Sequence, residues 1–190
     1  INSLDDLLGA LLEIKEKKKK SYEEILQNLS ISEMEYSPYL MFQDNHYTRN
    51  LIYANKDFEL MLICWQGKKQ TAIHNHEKSS GWVLCLEGSL DEIQYETDQS
   101  LEGKTLFNKK CVKNLKKGCL SYIDDSLAWH SISHSNPQRS VTLHLYVPPI
   151  YSCYIYSDKK LNKKIMSYDQ NFMSSFKKKS KNKFEYSSHL

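Results

Sequence analysis

The sequence predicts a mainly β domain, a double-sheet jelly roll or small barrel, preceded by about three short N-terminal α-helices. Three observations lead there. Apolar residues recur at helical spacing up to about residue 45 and at a period of two thereafter. Eight short candidate strands then follow at close spacing. Finally, 190 residues of which 40% are apolar can fill one interior but not two comfortable ones.

The first helix is read from Leu4, Leu7, Leu8, Leu11 and Leu12, with Ser3 as its cap and Asp5 and Asp6 at its positive end. Ser21 with Glu24 forms a capping box ahead of Ile25 and Leu29. Ser37-Pro38 places proline at a first helical position before Tyr39–Phe42. The strands are expected over Tyr47–Tyr53, Phe58–Trp65, Thr71–His76, Trp82–Glu87, Leu90–Glu96, Leu120–Ile123, His130–Ser133 and Val141–Val147. Turn signals at Gly67, Gly88, Gly118 and Asn136-Pro137 separate several of them, and residues 97–110 read as an outer loop. The expected organisation is one domain over residues 1–168, with helices in 1–45 and the barrel in 46–168. A basic tail, expected to be solvated and flexible, occupies 169–190.

Composition narrows the class. Aromatic residues reach 12%, unlike a disordered chain, and no apolar run approaches the ~20 residues that cross a bilayer. No membrane partner is expected. The net charge of +3 is unevenly spread: nine lysines against three acids from Tyr151 onward make +6, leaving −3 on the first 150 residues. The excess is therefore a property of the tail and reads as a solvated terminus, not as a nucleic-acid site. Cys64, Cys85, Cys111, Cys119 and Cys153 form no C-x-x-C pair and are odd in number, so a disulfide framework is not expected and a reducing, cytoplasmic setting is. No symmetric apolar face is evident, so a monomer is expected.

The most informative stretch is His74-Asn75-His76. On a strand, residues i and i+2 face the same way, about 7 Å apart along the chain, so two imidazoles can reach one metal. Taken alone, such a pair reads equally well as incidental surface histidines. Downstream, Gly88 is placed to turn one strand into the next, and His130 follows Trp129 at the head of another. In Val141–Val147, Thr142, His144 and Tyr146 share one face and four aliphatic residues the other. This is either an ordinary strand with its polar face in water or a hydrogen-bonded relay aimed into a cavity. Arg49 is one of only two arginines against 24 lysines, and its planar fork grips a carboxylate as lysine cannot, whether that carboxylate belongs to a ligand or to an acid of the protein itself.

The layout resembles the two sequence motifs of the cupin family. His74 and His76 match the paired histidines of the first motif, Gly81 stands at its glutamate position and Gly88 closes it. His130 matches the last histidine of the second motif, with one extra residue before it. The resemblance implies a cupin jelly-roll barrel and a site of three histidines without a protein carboxylate. Three neutral histidines leave the full +2 of a ferrous ion, which a substrate thiolate can balance directly; soft sulfur also favours iron over Mg²⁺ or Ca²⁺. Spacing alone does not choose between iron and zinc.

Taken together, Tyr47–Leu51, Leu60–Trp65, His74-x-His76, Tyr122–Ser126 with His130, and Leu143–Pro149 resemble the cysteine dioxygenase family over roughly residues 4–168. That resemblance implies one mononuclear non-haem Fe(II) per chain, O₂ as co-substrate and addition of both oxygen atoms to the sulfur of L-cysteine. It further implies His74, His76 and His130 as metal ligands, Arg49 as the carboxylate clamp with Tyr47 beside it, and Tyr146 with His144 as the catalytic pair. Thr142 stands where the family often has serine, Cys153 beside the pocket, and Trp65 and Ile123 in its walls. The animal enzymes carry, where Gly81 stands here, a cysteine cross-linked to the tyrosine matched by Tyr146, so this chain's tyrosine is expected to be a free phenol. His134, in a loop of differing length, reads as a surface residue. The competing readings are a dioxygenase of another small thiol such as 3-mercaptopropionate, and a non-catalytic cupin that binds a ligand.

Overall fold

The computed structural model describes residues 1–14, 18–99 and 104–171. Helix α1 spans Leu4–Leu12, and its Ser3 hydroxyl accepts from the Asp6 amide at 3.0 Å, as expected of a capping serine. Helix α2, Lys19–Gln27, begins earlier than the expected capping box: Lys18 precedes it and Ser21 lies inside its first turn. Two i,i+4 pairs, Lys19–Glu23 at 3.6 Å and Lys20–Glu24 at 3.7 Å, accompany that extension, and the Lys19 ammonium sits 3.7 Å from the centre of the Tyr122 ring. Helix α3 is the single turn Glu33–Tyr36, which runs into a 3-10 turn at Ser37–Tyr39 carrying Pro38 at its start. Leu40 is already extended, so the helical segment expected over Tyr39–Phe42 stops early.

The strands, in chain order, are β1 Thr48–Ala54, β2 Glu59–Trp65, β3 Lys69–Gln70, β4 Ile73–His74, β5 Ser80–Glu87, β6 Ser89–Gln99 and β7 Thr105–Lys116. They continue as β8 Leu120–Ile123, β9 Trp129–His134, β10 Ser140–Val147, β11 Ser152–Ser157, β12 Lys160–Ile165 and β13 Gln170–Asn171. One sheet has the order β13-β1-β2-β10-β5-β8; the other runs β12-β11-β4-β9-β6-β7, with β3 paired to β9. Facing each other, the two sheets make the expected jelly-roll barrel.

Residues 97–110 are a correction. They read as an outer loop, yet β6 continues to Gln99 and β7 starts at Thr105, with Thr97 opposite Phe107; residues 100–103 lie outside the described residues. Both faces of β7 are largely exposed, so its sequence lacks the alternation that marks a half-buried strand. Phe107 anchors it against Trp129 and Tyr156. Strand β12, exposed throughout, shows no alternation, and β11 is only partly buried, with Cys153 its one fully buried residue; neither carries the pattern of a half-buried strand. Of the expected tail, Gln170 and Asn171 pair in parallel with Asn50 and Leu51; residues 172–190 lie outside the described residues.

Two apolar interiors result. Leu60 and Leu62 of β2 and Leu143 and Leu145 of β10 face the helices, packing with Leu7, Leu8 and Leu26. Their strand neighbours Met61, Ile63, Trp65 and Tyr146 face the second sheet. The helices thus bury what would otherwise be the solvent face of the sheet, and β2 and β10 are enclosed on both sides. All five cysteines are free, and no helix among the described residues is long and apolar enough to cross a membrane.

Candidate metal centre and substrate pocket

His74 ends β4 and is the register partner of His130 on β9, while His76 follows two residues later in the turn leading to β5. The three side chains come together: Nε2 of His130 lies 3.1 Å from Nε2 of His74 and 3.0 Å from Nε2 of His76. Among the described residues they are the group whose geometry can hold a metal ion.

The donor set fits a metal. The Nδ1–H of His74 donates to the Ala72 carbonyl at 2.9 Å, and that of His130 to the Glu92 carboxylate at 2.9 Å. With those tautomers assigned, both Nε2 atoms present bare lone pairs to each other, a repulsive arrangement that a cation between them relieves. Burial, and then the neighbouring His130, push His74 down to about 3, and burial likewise holds His76 well below its usual range. Neutral imidazoles are the form a metal requires.

Two acids unread in the sequence position these rings. Glu92 is wholly buried on β6; burial works to raise its carboxyl, but hydrogen bonds from His130 and Ser121 and the nearby Lys113 hold it below the usual carboxylate range. It therefore backs His130 as an anion. The available signal was an acid between Leu90 and Gln94 on the inward face of an alternating strand. Asp125 accepts from the His76 amide at 2.7 Å and from the Lys78 amide at 2.9 Å. It pins a turn in which Glu77 and Lys78 adopt left-handed φ angles of 46° and 77°. It falls within Tyr122–Ser126, a stretch that carries the resemblance without assigning it a role. Glu92→Gln is expected to weaken metal affinity about 10–100-fold, as carboxylates behind ligating histidines generally do; chelator competition measures this, and an unchanged affinity would refute the role.

The cavity beside the cluster is lined in part by Tyr47, Arg49, Trp65, His144, Tyr146 and Cys153. Arg49 projects from β1 with Nε and Nη2 buried and unpartnered. Tyr47 stacks on Trp65 with ring centres 4.9 Å apart. On β10 the relay arrangement, not the water-facing one, is what the fold builds: Thr142, His144 and Tyr146 are all buried. The His144 ring is 2.8 Å from the Thr142 hydroxyl through Nε2 and 3.0 Å from the Tyr146 hydroxyl through Nδ1. Thr142 also accepts from the Trp65 indole at 3.0 Å.

Two expected pocket residues sit elsewhere. Thr142 lies behind His144, outside the cavity wall, because its hydroxyl is taken up by Trp65 and His144. Ile123 is buried on the edge strand β8 opposite Gly81, two strands from β10, and does not line the cavity. His134 is a further correction. It is 1% exposed, donating from Nδ1 to the Gly67 carbonyl at 2.6 Å, with Nε2 3.0 Å from the Ser140 hydroxyl. It is a structural core histidine. The cavity also takes Ile155, Lys164 and Met166 from β11, β12 and the residue after it, none of which the sequence pattern had singled out.

Gly81 is the register partner of Tyr146. A Cβ there would stand 2.7 Å from Cε1 of His76 and 3.1 Å from Cε1 of Tyr146, so the two rings occupy the space of the missing side chain.

Residues 2–159 match the family described as cysteine dioxygenase type I. The chain belongs to that family. Cysteine dioxygenase type 1 of Rattus norvegicus is 30% identical over 179 residues, covering 90% of this chain and 88% of the rat protein. The Homo sapiens enzyme is 32% identical over 144 residues, covering 73% of this chain and 70% of its own. A solved structure from Klebsiella pneumoniae, described as an uncharacterized conserved protein with a double-stranded β-helix domain, aligns at 12% identity with a TM-score of 0.49 over 68% of this chain and 86% of that one.

Within this family member, the relay residue His144 makes its stability depend on pH. Burial, and then the Arg49 guanidinium, hold its imidazole well below the usual range. The unfolded chain takes up a proton near pH 6.5 that the folded chain refuses, so stability is full above about pH 6.5 and falls as pH drops below it. Melting temperatures measured from pH 8 to 5 are expected to fall below that point, with a shallower slope in His144→Gln; an unchanged slope would contradict the assignment.

Proposed function

We propose that this chain is an iron-dependent thiol dioxygenase that converts L-cysteine to cysteine sulfinic acid, RSH + O₂ → RSO₂H, both oxygen atoms going to sulfur. The observation that carries the reading is a buried guanidinium with two unpartnered nitrogens in the same cavity as three converging neutral imidazoles. His74, His76 and His130 would hold one Fe(II) per chain, which supplies the redox chemistry that spin-unpaired O₂ requires.

The chain's own residues do the rest. Arg49 offers Nε and Nη2 as a fork for the substrate carboxylate, and exclusion of water by the stacked Tyr47 and Trp65 strengthens that ion pair. With one end of cysteine fixed, its sulfur is confined to the side of the cavity where the imidazoles converge. Among the described residues no carboxylate joins the three imidazoles as a ligand, so the substrate thiolate would be the anion added directly at the metal. Burial raises the Cys153 thiol, which keeps it neutral and out of competition for that role.

Tyr146 remains a phenol because burial pushes its pKa upward. Its hydrogen bond with His144 has two saturated forms. In one, Tyr146 donates to Nδ1 while Nε2–H donates to Thr142; in the other, Thr142 donates to Nε2 and Nδ1–H donates to Tyr146. The second form frees the phenol proton to hydrogen-bond to the transferred oxygen or to the substrate carboxylate. The five free thiols favour a reducing, cytoplasmic setting. Neither 3-mercaptopropionate as the preferred thiol nor a non-catalytic module is favoured by any observation. Oxygen uptake by iron-loaded protein with L-cysteine, with sulfinate detected as product, tests the reading; no uptake in the presence of reductant would overturn it.

A further inference from the structure

A second buried acid that the reaction does not use lies on β2, the strand paired with the one that carries Arg49. Glu59 opens β2 and is wholly buried. Its Oε1 accepts from the Ile150 amide at 3.0 Å and its Oε2 from the Tyr168 hydroxyl. Burial leaves its carboxyl above the usual carboxylate range, although the hydrogen bonds from Tyr168 and Ile150, and then the charge of Arg49, pull the other way. No ion pair joins the two, and Arg49 keeps two buried nitrogens without partners. A carboxylate and a guanidinium enclosed together would ordinarily close a fork-to-fork pair. Here each carboxylate oxygen is instead anchored by another donor, Oε1 by the Ile150 amide and Oε2 by the Tyr168 hydroxyl, which fixes where the group points.

Tyr168 is itself held in place. The segment after β12 runs along β1: the Asp169 amide donates to the Arg49 carbonyl at 2.8 Å, and the Arg49 amide donates back to the Asp169 carboxylate at 2.8 Å. The Asp169 carboxylate also meets Nε2 of His46 at 2.8 Å, and Gln170 and Asn171 continue the pairing. The Tyr168 ring centre is 5.9 Å from the Arg49 guanidinium carbon.

We propose that Tyr168 is a positioning residue that holds Glu59 away from Arg49, so that the guanidinium is left open for the carboxylate of an incoming thiol substrate. Glu59 then balances the buried Arg49 charge from a distance when the pocket is empty, without competing for its donors. The consequence is selectivity: a substrate anion displaces nothing, and a thiol lacking a carboxylate gains nothing.

The inference rests on the proposed function, and the test separates the two. Tyr168→Phe removes only the hydroxyl and frees Glu59 to swing onto Arg49. It is expected to raise KM for L-cysteine about tenfold, on the order of one charge-assisted hydrogen bond, with kcat within about twofold. KM for cysteamine, which has no carboxylate, is expected to stay put. Adding Glu59→Gln to Tyr168→Phe removes the competing anion and is expected to restore KM for L-cysteine, whereas mere loosening of the segment after β12 would not be rescued. An unchanged KM in Tyr168→Phe, an equal rise for cysteamine, or no rescue by the double variant would each overturn the proposal. If the wild type turned over no cysteine, the functional reading would fail. Anaerobic calorimetric binding of L-cysteine and cysteamine to the same three iron-loaded proteins would then judge Tyr168 by the same criteria.

Discussion

Arg49→Gln is expected to lower kcat/KM for L-cysteine about a hundredfold, most of it through KM. The size follows from what is removed: two charge-assisted hydrogen bonds to a carboxylate in a site closed to water, worth about 3 kcal/mol together. The side chain has no hydrogen-bond partner at Nε or Nη2, so its replacement breaks no existing bond there. Glutamine can still donate one neutral hydrogen bond, which leaves measurable activity. Cysteamine, without a carboxylate, should be turned over by wild type and variant at similar efficiency. Steady-state oxygen uptake with both thiols decides it: an equal loss for both would mean that Arg49 shapes the pocket and does not clamp the carboxylate.

The second large effect belongs to the imidazoles. His130→Ala is expected to reduce bound iron from about one per chain to near none and kcat/KM by at least about a thousandfold, since two histidines without a carboxylate form an incomplete site. The same substitution leaves Glu92 buried opposite a void with its Lys113 and Ser121 partners alone. A folding cost of about 2 kcal/mol or more accompanies it, and the variant should melt well below the wild type. Metal analysis after iron-supplemented expression, with circular dichroism to establish folding, checks both parts. Retention of full iron by a folded His130→Ala protein would remove His130 from the site.

What could be read from the chain alone had a local signature. Ser3 caps α1 because the cap is set within four consecutive residues, Ser3 to Asp6. The alternation in Val141–Val147 put His144 and Tyr146 on one face whatever they would meet there. Residues without such a signature escaped. Glu59 reads as an ordinary strand acid until Tyr168, 109 residues away, reaches it. Strand β7 was invisible because pairing with β6, not its own pattern, makes it a strand. His134 looked like a surface residue because burial by Gly67 and Ser140 is a property of the assembled barrel.

The residue types therefore determined by themselves which chemistry this protein can perform: three imidazoles, one rare arginine and a tyrosine behind a histidine, in an order that only a barrel brings together. Whether the polar face of β10 meets water or a cavity, which nitrogen each histidine offers, and which acids stand behind them were decided only in three dimensions. The reason is physical. Side-chain type and spacing fix what a strand can present, but burial, tautomer and charge compensation depend on the groups that pack against it, and those come from the other sheet and from the chain's far end.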